Sequence, residues 1–350
     1  MSFPNVSTAP ARKDVEIRGP PADSISSLSF SPTADFLAVG GWDNNVHVYE
    51  VAGNLDSRGV AMYSHQGPVL GVCWNKDGTR ILSGGADNAA RVFDVQTGQS
   101  SQVAAHDAPV KAARWIESPQ GCILVTGSWD KTVKYWDLRS PQPIGVVSLP
   151  ERCYSLDVVY PLMAVGTADR NIQIFDLRNP MTPRKSIPSP LRWQTRVVNC
   201  FLTADGFAVG SIEGRVAMHY ISQNNMANNY TFRCHRQDMK QASKVESVVY
   251  AVNDIIFHPV YQGTFATCGS DGTINLWERD TRTRLQTLEP CPGPVTSMGF
   301  NRSGTILAYA VSYDWSRGYS YMKTGHPNKI MLHACLDAEV QRKANFPRAN

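Results

Sequence analysis

Seven copies of one short pattern run along this chain of 350 residues. Each is a small-residue pair leading into an acid, with a hydrophobic or aromatic residue a few positions later. The copies are Gly41-Trp42-Asp43, Gly85-Ala86-Asp87, Ser128-Trp129-Asp130, Thr167-Ala168-Asp169, Ser211-Ile212-Glu213, Gly269-Ser270-Asp271 and Ser312-Tyr313-Asp314. Their acids lie 44, 43, 39, 44, 58 and 43 residues apart. A period near this length belongs to a unit of four strands, one propeller blade per copy.

The third copy shows the physics of a unit. Residues 110–115, 122–127 and 133–136 are short β-branched or aromatic runs bounded by turn residues, so each is an expected strand. Residues 118–121 and 129–131 supply the turns, and 138–143 lead to an outer strand near 144–147. Such a meander cannot bury both its faces alone, so the units must stack in a closed ring. The expected architecture is all-β, a seven-bladed β-propeller over residues 13–336. A flexible arm (1–12) precedes it, and a basic, mobile tail (337–350) follows. The last repeat ends near Ile330 to Ala334. The strand-like segment at residues 14–17 is therefore expected to complete the last blade and lock the ring.

Composition limits the partners. Thirty-four Lys and Arg against 30 Asp and Glu give a net charge of +4, a mildly basic balance that permits nucleic-acid contact without requiring it. The eight cysteines lack CxxC pairing and fall mostly in strand runs, as reduced core thiols do. No window approaches 18 uninterrupted apolar residues, so no membrane span is expected. Phosphate cradles, zinc spacings and nucleophile elbows are missing from the sequence, so neither a cofactor nor a metal is expected. The chain reads as a binding scaffold and not as an enzyme.

His65 with Asp87 and His106 with Asp130 are each separated by just over twenty residues. These units resemble WD40 blades. The resemblance implies that both pairs bond across their blades, the second also bracing Ser128 and Trp136, as structural and not catalytic groups.

A narrower resemblance rests on residues 149–154, Tyr160-Pro161, residues 210–217, residues 232–236 and residues 250–253. These stretches resemble the mRNA-export propellers of the nuclear pore, the Rae/Gle family, and their relatives, the mitotic-checkpoint propellers. Residues 312–318 and Ser189-Pro190-Leu191-Arg192 favour the export branch, because checkpoint propellers carry a different, acidic insert after the matching Ser-Tyr. Both families hold a short acidic segment, the GLEBS motif, on one face of the ring. Trp42, Arg196 and Arg236 match positions used for that purpose. The chemistry suits the role, since arginine offers carboxylates a planar fork and tryptophan anchors interfaces. The implied partner is a GLEBS-bearing FG nucleoporin, and the implied function is messenger ribonucleoprotein export. The implied place is the nucleus and nuclear pore, with the cytoplasm in part. A checkpoint-kinase GLEBS segment is the alternative partner.

One segment breaks the period, and a second loop is unusual in composition. Residues 222–244 account for the spacing of 58 and are polar and basic, as binding loops often are. Residues 313–327 interleave aromatics with bases. There Trp315, Arg317, Tyr319 and Lys323 are candidates for stacking bases and neutralising phosphates, with RNA as the partner. A third function class stays open: Trp136-Asp137-Leu138-Arg139 looks like the WDxR signature of substrate receptors of cullin-type ubiquitin ligases, and Phe175-Asp176-Leu177-Arg178 nearly repeats it.

Overall fold

The computed structural model describes residues 13–241, 244–323 and 325–341. The expected arm at 1–12 and most of the expected tail, from residue 342 on, lie outside the described residues. Seven four-stranded antiparallel sheets follow one another around a ring. The innermost strands are Ile25–Phe30, Val69–Trp74, Val110–Ser118, Cys153–Val159, Thr195–Cys200, Val252–Phe257 and Val295–Phe300. Second strands such as Leu162–Thr167, Gly206–Ser211 and Ile306–Val311 are buried at every residue. A blade packs on each side of them, which explains why these runs are continuously apolar. Burying one such aliphatic side chain contributes about 1.5–3 kcal/mol.

Ring closure follows the sequence. The seventh sheet takes three strands from the end of the chain and its outer strand, Val15–Glu16, from the start. Val15 pairs with Leu332 and Glu16 with Met331. Buried Ile17 continues the seam, its N–H donating to Ile330 at 2.8 Å. Beyond the last strand a short helix, Asp337–Val340, buries Val340, whose carbonyl accepts a hydrogen bond from Thr264.

In the third blade the strands run Val110–Ser118, Gly121–Ser128, Thr132–Trp136 and Gly145–Ser148. The first hairpin is tighter than expected because Ser118 already pairs with Gly121. The long insertion is also ordered differently from a plain loop. It supplies the outer strand of blade five, Tyr230–Arg233, and then a separate two-stranded hairpin, Arg236–Gln241 with Lys244–Val249.

One irregularity recurs in every blade. All seven inner strands shift register at their second residue, a bulge that re-aims one side chain. The bulged residues are Ser26, Leu70, Lys111, Tyr154, Arg196, Asn253 and Thr296, and all seven line the central channel.

Candidate docking surface on the upper rim

The seven acids of the repeat stand in the turns between second and third strands, and these turns form the upper rim. Six of them are aspartates that accept from the backbone N–H two residues on, as Asp130 does from Thr132 at 2.9 Å. A short acid is needed to close this turn on itself. The residue after each acid has a positive φ: Asn44, Asn88, Lys131, Arg170, Gly214, Gly272 and Trp315. Glycine and asparagine adopt that conformation readily, whereas for other L-residues it costs roughly 1–2 kcal/mol. A tryptophan there, at φ 59°, is the sharpest departure in the series.

Trp315 spends that strain on a stack. Its ring lies 4.0 Å from that of Trp42 in the adjoining first blade, inclined by 20°. Its indole nitrogen is buried without a partner among the described residues. Tyr313 packs against it at 5.4 Å between ring centroids, buried, with its hydroxyl donating to the Gly318 carbonyl at 2.7 Å. Trp42 and Trp315, assigned to separate partners from the sequence, thus form one feature. Arg317, Tyr319 and Lys323 extend outward from it, and Tyr319 is 84% exposed.

Arg196 belongs to the channel ring and not to the open rim. Its Nε donates to Asn253 at 2.9 Å and one terminal nitrogen donates to the main-chain oxygen of Asp314 at 3.0 Å. Burial lowers its pKa from the usual arginine value. Because Asp314 directly precedes Trp315, Arg196 is tied to the tryptophan stack through one peptide unit. The Asp314 carboxylate accepts from Ser270 and Asn253. Burial pushes that carboxyl's pKa up, but hydrogen bonds from Ser270 and Ser316 outweigh it and hold the value low.

Arg236 stands elsewhere, at the base of the hairpin. In blade five the turn acid is glutamate, too long to cap its own turn. Its carboxylate faces Arg215 at 3.7 Å and Arg236 at 3.9 Å instead, and Arg236 Nε donates to the Glu213 carbonyl at 3.2 Å. No hydrogen bond, ion pair or ring contact among the described residues joins Arg236 to Trp42 or Arg196. The sequence reading missed two exposed apolar residues connected along the chain to the acid partner of Arg236: Ile212, next to Glu213, whose N–H donates to the Gln194 carbonyl at 3.1 Å, and Trp193, next to Gln194 and 54% exposed. Arg170 Nη1 donates to the Arg192 carbonyl at 2.5 Å along the same strip. The available signal was an aromatic residue in a connection that enters an inner strand.

The histidine pairs are structural, with one correction. His65 Nδ1 lies 3.1 Å from Asp87 and its Nε2 lies 2.8 Å from Ser83. His106 lies 2.7 Å from both Asp130 and Thr126, and Trp136 Nε1 donates to Thr126 at 2.8 Å. Thr126, not Ser128, is therefore the hydroxyl that joins histidine to tryptophan. The two hydroxyls share a strand face, but Thr126 lies level with the imidazole while Ser128, two residues further along, donates to the Ala108 carbonyl instead. A third such network, His235, Asp271, Thr267 and Trp277, went unread because the hairpin stretches its histidine spacing to 36 residues.

In the WDxR stretch, Arg139 is highly exposed and forks onto Asp137 of the same motif at 2.5 Å. All eight cysteines are free; three are buried, and Cys122 is exposed. Among the described residues no cluster of His, Cys, Asp and Glu suited to a metal occurs, and no helix is long and apolar enough to cross a membrane.

A closed ring of seven four-stranded blades, with a polar and aromatic upper rim, defines a WD-repeat propeller. Two family models agree on the repeat: the WD40 domain of anaphase-promoting complex subunit 4 over residues 28–118, and the G-beta WD domain over residues 229–278. Whole-length relatives are more specific. The poly(A)+ RNA export protein of Schizosaccharomyces pombe is 50% identical over 335 residues, covering 95% of this chain and 94% of its own. The mRNA export factor GLE2 of Chaetomium thermophilum is 48% identical, covering 96% and 94%. Protein Rae1 of Drosophila melanogaster is 44% identical, covering 95% and 96%. The chain belongs to the Rae1/GLE2 family of mRNA export factors.

Proposed function

We propose that this chain docks an acidic GLEBS-type segment of an FG nucleoporin on its upper rim. It works at the nuclear pore, in support of messenger ribonucleoprotein export. Its work is recognition, and no covalent step is involved. The observation that carries the reading is the stacked Trp42–Trp315 pair joined through Asp314 to Arg196, on the rim that also bears Arg236. The relatives named as export factors supply the cellular setting. An extended segment that is unstructured alone loses ordering entropy on docking and recovers it through a few anchors, here indole rings and guanidinium forks.

Calorimetry with a GLEBS peptide tests this. Arg236→Glu places a second carboxylate against Glu213 and the peptide, and is expected to weaken binding by about 2–5 kcal/mol. Unchanged affinity would remove Arg236 from the interface. A parallel pull-down with a checkpoint-kinase GLEBS peptide separates the export reading from the checkpoint one. RNA contact is a second reading of the seventh-blade loop, favoured by the exposure of Tyr319 and Tyr321 beside Arg317 and Lys323. Tyr319→Ala lowering RNA retention while sparing the peptide is its expected signature.

A further inference from the structure

We propose that the mouth of the central channel is an oxyanion site, in which Lys111 and Arg196 hold a small tetrahedral dianion of the phosphate or sulfate type. Both residues are bulge positions aimed into one cavity of about 230 Å³. That is ample for such an ion with several waters, each water taking about 30 Å³ of liquid. Lys111 Nζ finds only the Leu70 carbonyl, at 3.5 Å. Arg196 bonds only neutral oxygens, those of Asn253 and the Asp314 main chain, which leaves Nη1 without a protein partner among the described residues. Neither cation has a carboxylate within ion-pair distance there.

The nearby carboxylates are already engaged. Asp157 accepts from Arg114 and from the Cys200 N–H, both at 2.9 Å. Asp254 accepts from Ser297 at 2.9 Å and from the Met298 N–H at 3.0 Å. Asp314 is taken by Ser270 and Asn253. On the same ring Thr296 Oγ1 is buried with no partner among the described residues. Two half-buried cations that share one cavity and lack an ion-pair partner among the described residues are costly, and they repel each other. An oxyanion between them satisfies both, taking a fork from arginine and a point charge from lysine. In keeping with this, burial and then the charge of Arg196 lower Lys111 to about 8, with Arg114 adding to the fall and Cys153 and Asp254 opposing it.

The test is titration of the full chain with sodium sulfate by calorimetry at constant ionic strength, with phosphate and succinate as further arms. Sulfate stays a dianion throughout, so any pH dependence belongs to the protein. Saturable binding is expected for wild type, at least tenfold weaker for Lys111→Met and retained by Lys111→Arg. Succinate binding less tightly than sulfate separates a tetrahedral ion from a carboxylate. In chloride, Lys111→Met should melt no lower than wild type, because an unpaired cation has been removed. Wild-type affinity should fall as pH rises through about 8. Salts of this kind also stabilise proteins without binding. A non-saturating response, equal affinity in Lys111→Met, or a flat pH profile in wild type would each overturn the site, the last even if the variant misfolds. The nucleoporin-docking reading is untouched by that outcome.

Discussion

Blades three and seven each press a histidine against an aspartate, and the two imidazole pKa values move in opposite directions. His106 in blade three is enclosed with one carboxylate and the Thr126 hydroxyl, and burial lowers its pKa. His333 in blade seven lies between two carboxylates, Asp14 at 2.7 Å and Glu339 at 3.2 Å. Burial opposes its charge, yet these two partners raise it to about 9. An interior blade is thus tied by a neutral imidazole on one carboxylate, whereas the seam where the two chain ends meet is tied by a charged imidazolium between two. The difference has a physical root. Interior blades are joined covalently to both neighbours, while the two-residue strand Val15–Glu16 depends on its pairing, on Ile17, on the Lys329–Glu16 ion pair at 2.7 Å, on the Tyr309 hydroxyl donating to Asp14, and on these charged contacts.

The largest effect that can break this comparison is His106→Ala. It removes the group joining Asp130 to Thr126 and leaves that carboxylate partly enclosed with fewer donors. A loss of about 2–4 kcal/mol in denaturant unfolding is expected, with no change in peptide affinity of the folded fraction. A loss below about 1 kcal/mol would make the network incidental.

Alkaline pH should produce a smaller, local effect at the seam. Because the folded pKa of His333 is raised above the unfolded value of about 6.5, its stabilisation is complete below that value and disappears as pH rises through about 9. Asp14 and Glu339 are lowered, burial being outweighed by hydrogen bonds, so their contributions disappear on the acid side. Amide exchange at Glu16 and Ile17, corrected for its intrinsic pH dependence, should therefore accelerate between pH 8 and 10. Strands of blade three should not follow. Equal acceleration in both blades would erase the distinction.

The ring, its period and its N-terminal closure were legible because each rests on local patterning: alternation within strands, turn residues between them, and an acid at fixed spacing. The tetrads were legible where their spacing was regular and hidden where the hairpin intervened, as with His235 and Asp271. Thr126 was misread as Ser128 because a two-residue step keeps the strand face yet changes the partner reached. Least legible was the grouping of site residues. Trp42 and Trp315 are 273 positions apart and meet only because the ring closes. Arg196 matches a rim position in the sequence, but its bulge turns it inward, and a bulge leaves no signature in a single strand.

The last comparison sets one turn position against itself. Lys131 and Trp315 both follow a repeat acid and both hold a positive φ, of 66° and 59°. Lys131→Gly relieves that backbone at the expense of an exposed ion pair with Glu151, so a gain of up to about 1 kcal/mol is expected. Trp315→Gly gains the same relief but forfeits the stack on Trp42, which contributes about 0.5–1.5 kcal/mol beyond area burial. The ring's buried area is lost as well, at roughly 25 cal/mol per Å², so Trp315→Gly should melt below wild type while Lys131→Gly should not. Binding by the folded fraction separates the two variants further. On the proposed docking, affinity for a GLEBS peptide is expected to fall at least tenfold in Trp315→Gly and to stay unchanged in Lys131→Gly, because among the seven turns the seventh alone places an aromatic ring at this strained position. Wild-type affinity in Trp315→Gly would reduce the tryptophan to a packing residue, and the strain at its backbone would lose its explanation.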